Sequence, residues 1–169
     1  MIRRLTYLFV SLVIVLADQV TKEIVADRIP LHSSVPVIQG LFDLTHVRNS
    51  GAAFGLFASI DSPLRTVLLN TVAFVVFLAV LVYAWRTSVD STRLQLGLSL
   101  ILGGAVGNLL DRVRFGYVVD FLDFAVSGHH WPAFNVADSA ICIGVGLLFL
   151  DMLRNDEETA PRPDPAPGS

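Results

Sequence analysis

Long apolar runs alternate with polar stretches of unequal length along this chain, and the runs set the architecture. A transmembrane helix needs about 20 mostly apolar residues. Leu5–Ile24 is the first such run, with Asp18 and Lys22 inside it. Val67–Trp85 carries no charge at all, Leu94–Leu110 extends to Arg112, and Asn135–Leu153 is the fourth. The spacing therefore predicts spans at about 5–24, 67–85, 94–112 and 135–153. Four spans leave both termini on one side. Arg3-Arg4 and Val15-Leu16-Ala17 imitate a cleavable signal peptide, but apolar character resumes with Val20, Ile24 and Val25. Cleavage would also leave an odd number of spans, so the first run is read as an uncleaved anchor.

The polar stretches differ in kind. In Asp27–Thr66, Val35-Pro36-Val37-Ile38 and Leu41-Phe42-Asp43-Leu44-Thr45-His46-Val47 flank Gly40. Alternation, β-branched residues and a glycine break read as short strands. They predict a small sheet, a cradle over about residues 27–57 on the membrane surface, followed by a short interfacial helix. Arg3, Arg4, Arg86, Arg93 and Arg154 favour cytoplasmic termini by the positive-inside rule, against Arg28, Arg48, Arg65, Arg112 and Arg114. The stretches 27–66 and 112–134 then lie outside. Residues 155–169, with Asp156-Glu157-Glu158 and many prolines, read as a disordered cytoplasmic tail. The expected fold is a membrane all-α four-helix transmembrane bundle (residues 1–154) with a small extracytoplasmic β-sheet.

Composition agrees. Of 169 residues, 53% are hydrophobic and 16% charged, where soluble domains carry roughly 25% charged residues; mean hydropathy is +0.63. The net charge of −3 comes without a basic run, so nucleic acid is not an expected partner. The single cysteine, Cys142, excludes an internal disulfide and reads as a small buried apolar residue. His32, His46, His129 and His130 are dispersed without metal-ligand spacing, so no metal and no cofactor are expected. Serine-nucleophile motifs are absent.

Polar residues at the ends of the apolar runs carry the chemistry. Asp120, within Val118-Val119-Asp120-Phe121, and Asp138, within Asn135-Val136-Ala137-Asp138-Ser139, both lie where bilayer meets water. Ionisable groups at that depth are costly and usually functional. Two that meet are the minimum of an aspartyl protease, although Asp138 in a first helical turn also suits the helix dipole. Asp123 lies three residues from Asp120: on one face of a helix, on opposite faces of a strand. The apolar neighbours of Asp120 favour it as the site acid. Asp18 and Lys22, at i and i+4, read as a supporting pair. Asn49-Ser50-Gly51 is a turn, or places Asn49 on a substrate or a carboxylate. Gly103 and Gly107 form a small-xxx-small packing face. Asn108, Asp111 and Arg112 require partners from other segments, because polar groups in lipid must be satisfied. Asn135 can cap the fourth helix.

Five stretches in order, Asp18-Gln19-Val20-Thr21-Lys22, Asn49-Ser50-Gly51-Ala52-Ala53-Phe54, Gly103 through Arg112, Val118-Val119-Asp120-Phe121 and Phe134-Asn135-Val136-Ala137-Asp138-Ser139, resemble the bacterial lipoprotein signal peptidases (signal peptidase II) over about residues 15–150. The resemblance implies an aspartic endopeptidase of the bacterial inner membrane, with its site near the outer face. Its substrates would be diacylglyceryl prolipoproteins, cut just before the lipidated cysteine. Asp120 and Asp138 match the catalytic pair. Asn49, Gly51, Asn108, Arg112 and Asn135 match substrate-binding or site-supporting positions, and Asp18, Lys22 and Asp111 match structural polar positions. Ser50 stands where many members have Thr. The resemblance also implies contact with membrane lipids, binding of the cyclic peptide globomycin at the pair, and a monomer. A four-span transporter is the rival from another class. It would place its acids near the midplane in repeated halves, whereas here they gather at one interface and no repeat is present.

Overall fold

The structure, a computed structural model, describes residues 2–51 and 63–159. Helices α1 (Ile2–Arg28), α2 (Pro63–Arg86), α3 (Thr92–Phe115) and α4 (Val136–Thr159) frame strands β1 (Ser34–Ile38), β2 (Phe42–Asn49), β3 (Val118–Val126) and β4 (His129–His130). Three helical stretches are long and apolar enough to cross a membrane: Val67–Arg86, Thr92–Phe115 and Val136–Arg154. The fourth expected span lies in α1, a 27-residue helix. Its apolar run is diluted towards its end by Asp18, Lys22, Glu23, Asp27 and Arg28.

α3 is the central helix and packs against α1, α2 and α4. Buried residues make up 61% of its most apolar stretch, against 0% for α2 and 17% for α4. The outward faces of α1, α2 and α4 are instead apolar and exposed, including Leu8, Phe9, Val75, Val76, Ile143 and Phe149. That inversion suits helices whose outer solvent is lipid. Close packing on α3 requires glycine. A Cβ on Gly103 would stand 2.8 Å from the Ser11 carbonyl of α1, and one on Gly107 would stand 2.6 Å from Asp18 Oδ2. Gly104 meets the Ala137 carbonyl on α4. At the opposite end, buried Gln95 donates to the carbonyls of Ala84 and Thr87, both at 3.1 Å, and ties α2 to α3. Arg3 pairs with Asp90 at the same end.

The sheet has the order β1-β2-β3-β4 with antiparallel pairing throughout. The first two strands fall where alternation predicts them. The other two come from the stretch 112–134, so the sheet extends beyond the expected 27–57 and draws on both polar loops. Gly116, left-handed at φ 79°, ends α3 by donating to the Arg112 carbonyl at 3.0 Å, and the chain then turns into β3. Ser127 and Gly128, at φ 53° and 80°, close the β3–β4 hairpin. Two positive-φ residues form the turn type whose twist matches paired strands. Val25, Ile29 and Phe121 form a buried cluster that seats the sheet on the end of α1. The expected interfacial helix falls mainly on residues 52–62, outside the described residues. α4 continues to Thr159, and residues 160–169 of the expected tail also lie outside them.

Candidate active site

Asp120 is the third residue of β3 and Asp138 the third of α4, so a strand and a helix each bring one acid. Pairing of β2 with β3 sets Val47 opposite Asp120 and Asn49 opposite Val118. Asn49 and Asp120 are thus diagonal neighbours on one face, and Asn49 Nδ2 donates to Asp120 Oδ2 at 2.9 Å. The other Asn49 atom, Oδ1, accepts the Gly51 N–H at 3.0 Å and holds the turn that follows β2.

Asn135 joins the two elements. It caps α4: its Oδ1 accepts the Asp138 N–H at 2.9 Å. Its Nδ2 donates to Asp120 Oδ1 at 2.7 Å. Asn108 Nδ2 donates to Asp138 Oδ1 at 2.7 Å, while Asn108 Oδ1 accepts from Lys22 Nζ at 3.0 Å. Lys22 Nζ also pairs with Asp18 Oδ2 at 2.7 Å and Asp111 Oδ2 at 3.0 Å. All three ions are buried, and a buried ion needs close partners of this kind. Asp18 Oδ1 accepts the Ala137 N–H at 2.9 Å, and Asp111 Oδ2 accepts the Val119 N–H at 3.3 Å.

Asp120 is 3% exposed. Burial pushes its carboxyl up to about 7. The hydrogen bond from Asn49 opposes this, the charge of Asp138 adds to it, and Asn135 and Lys22 pull the other way. A carboxyl so placed can keep its proton near neutral pH. Three of the pair's four carboxyl oxygens accept amide N–H groups. Among the described residues Asp138 Oδ2 accepts none. Amide donors around paired acids suit proton exchange better than cation binding.

Both acids open onto a groove of about 560 Å³. α3 lines it with Ala105, Asn108 and Arg112, α2 with Ala73 and Val76, and α4 with Ser139, Ile141 and Cys142. The segment Trp131–Phe134 covers its end. Arg112 faces Asp138, Asp120 and Asp111 electrostatically, and among the described residues its guanidinium donates no hydrogen bond. Cys142 corrects the sequence expectation. It is exposed on the wall of this groove, because α4 turns an apolar but lipid-facing surface outward. Asp123 points to the other face of β3, where both its oxygens lie 3.0 Å from His130 Nδ1.

The expected residues Asp120, Asp138, Asn49, Asn108 and Arg112 therefore meet at the groove, with fully buried Asn135 joining the two acids behind its wall, Gly51 bonded to Asn49, and Asp18, Lys22 and Asp111 behind them. Sequence reasoning gave no role to Gln19, whose Nε2 donates to Asp111 Oδ1 at 2.8 Å and lies 3.2 Å from the Gly107 carbonyl. Its place beside Asp18 and three residues from Lys22 was the available signal.

Comparison with known proteins agrees with this arrangement. The family model described as Signal peptidase (SPase) II matches residues 10–154. The lipoprotein signal peptidase of Syntrophotalea carbinolica is 47% identical over 148 residues, covering 88% of this chain and 91% of its own. That of Desulforapulum autotrophicum is 49% identical over 146 residues, covering 86% and 90%. A bacterial membrane enzyme solved by the in meso method at 2.3 Å superposes with a TM-score of 0.82 and 31% identity, over 95% of this chain and 94% of the other. The chain belongs to the signal peptidase II family.

Proposed function

We propose that the protein is an aspartic endopeptidase that removes signal peptides from diacylglyceryl-modified prolipoproteins, cutting just before the lipidated cysteine. One observation carries the reading: in a chain of this family, a buried and a half-buried carboxyl are linked through Asn108 and Asn135 on the wall of a groove between apolar helices. Two carboxyls near enough to feel each other's charge share one proton. Asp120, the more deeply buried of the two, holds it. Asp138, whose Oδ2 accepts no hydrogen bond among the described residues and which has a helix N-terminus behind it, takes a proton from water between the two. The hydroxide equivalent adds to the scissile carbonyl while Asp120 donates to the carbonyl oxygen. The tetrahedral intermediate collapses: its hydroxyl returns a proton to Asp120, the C–N bond breaks, and the proton taken by Asp138 passes to the leaving amine. Acid–base help of this kind is worth about 10²–10⁴-fold. Arg112, whose guanidinium donates no hydrogen bond among the described residues, holds a substrate carbonyl, and Asn49 and Asn135 keep Asp120 in place.

In this reading α1 also crosses the bilayer, both termini are cytoplasmic, and the groove lies near the outer face of the inner membrane. A short unwound stretch around the scissile bond enters the groove, because the peptide bond of a helix is shielded by its own hydrogen bonds. The sheet lies over that stretch as a cradle, the chain acts as a monomer, and globomycin competes for the same space. Residues 52–57, which follow the cradle strands and are the part of that loop expected to touch substrate, lie outside the described residues. Cleavage of one purified prolipoprotein, with and without its diacylglyceryl group, tests the proposal. Cleavage of the lipidated form alone, absent in Asp138→Asn, is expected. Equal cleavage of both forms would refute the lipid requirement.

A further inference from the structure

The two acids are held by the same device used twice. The N–H immediately before Asp138, that of Ala137, is accepted by Asp18. The N–H immediately before Asp120, that of Val119, is accepted by Asp111. Lys22 lies between the two accepting carboxylates. The spacing of the pair therefore depends on where Asp18 and Asp111 stand relative to each other.

Asp18 is fixed by its place in α1 and by close contact with Gly107. Asp111 lies near the end of α3, and its Oδ2 serves both Lys22 and Val119. Its other oxygen, Oδ1, is held by Gln19 at 2.8 Å. The same amide nitrogen lies 3.2 Å from the Gly107 carbonyl and 3.3 Å from Asp18 Oδ2. One side-chain amide thus spans both carboxylates and the α3 backbone. The carbonyl end of Gln19 meets Arg114 at 3.4 Å. Without Gln19, Asp111 can swing about Lys22 and release the Val119 N–H, and the start of β3 loses its anchor.

We propose that Gln19 is a positioning residue: by clamping Asp111 it fixes the Val119 amide and so sets the distance from Asp120 to Asp138. This rests on the aspartic reading above. It concerns the chemical step, because Gln19 is absent from the groove wall and does not meet substrate.

The test uses the full-length protein in detergent or lipid, with lipidated prolipoprotein as substrate. Gln19→Met matches the side chain in length and removes the donor. Gln19→Lys restores a donor to Asp111. In Gln19→Met, kcat should fall by about 10²-fold, the usual cost of misplacing a reacting group by about 1 Å, with KM unchanged. Looser packing around Asp120 admits water, so the alkaline limb of the pH–rate profile should move to lower pH. Amide hydrogen exchange of the peptide containing Val119 should quicken, and that of Ala137 should not. Gln19→Lys should recover most of kcat and return the limb. Unchanged kcat and pH profile in Gln19→Met, with Asp120→Asn inactive in the same assay, would overturn the proposal and leave the aspartic reading standing. An active Asp120→Asn would overturn both. Loss of the fold in Gln19→Met would assign Gln19 to the scaffold and also overturn it.

Discussion

A carboxyl that sits in a membrane protein at 3% exposure, with two amide donors and, among the described residues, no cation touching it, is an expensive residue to keep. Asp120 carries that cost, and the sign of its pH dependence follows. Its proton affinity rises from the ordinary carboxylate value of 3.8 to about 7 on folding. The folded state then binds more protons than the unfolded one between those values, so stability falls as pH rises through that window and is level above it. The difference corresponds to at most about 4 kcal/mol at 1.36 kcal/mol per pH unit. Thermal denaturation at pH 4 and pH 8 should show a larger loss for the native chain than for Asp120→Asn, and equal losses would refute the burial argument. In cleavage assays Asp120→Asn and Asp138→Asn should each lack activity while remaining folded, whereas Asp123→Asn should keep most of it. A dead Asp123→Asn would transfer the assignment to the His130 side of β3. At this scale the sequence showed which acids had apolar neighbours, and that was enough to prefer Asp120 over Asp123. It could not show the donors. Asn49 and Asn135 reach Asp120 across 71 and 15 residues of chain, a distance that only strand pairing and a helix cap close.

At the level of elements, α3 decides whether the pieces fit. Its glycines were visible as a repeat, but their roles differ with the face on which each lies. Alanine at 103 meets the Ser11 carbonyl and Ile14, away from the acids. Alanine at 107 meets Asp18 and Ala137, the link that holds Asp138. Overpacking of this kind costs about 1–3 kcal/mol. Both variants should therefore lose similar stability, read as Tm, while only Gly107→Ala loses most of its activity. Equal activities would mean that the Asp18–Ala137 link does not govern Asp138. β3 was less legible than the helices. Val118-Val119-Asp120-Phe121-Leu122-Asp123-Phe124-Ala125-Val126 lacks the alternation of a half-buried strand, since both faces of its first residues are buried. Its partner β2 lies far back in the chain, so no local pattern marks the pairing.

For the molecule as a whole, lengths of apolar chain predicted four spans; three helices are long and apolar enough to cross a bilayer, and the run in α1 is interrupted by Asp18 and Lys22. The interruption has a physical use: both charges face α3 and α4, and the opposite side of α1 remains apolar through Leu5, Leu12, Leu16, Val20 and Ile24. A full crossing by α1 is the expected outcome. Reporter proteins fused ahead of α1 and after α4 should be active in the same compartment, and a reporter in the β1–β2 turn in the other. Opposite compartments for the two ends would remove α1 from the bilayer. The division of the acids between β3 and α4 also has a consequence in time. The link from Asp18 to Ala137 spans 119 residues, so the earliest support waits for almost the last helix. A chain emerging from the ribosome carries Lys22, Asp120 and the sheet before it carries Asp138. On the proposed mechanism, hydrolysis begins only once α4 has been made and seated against α1 and α3.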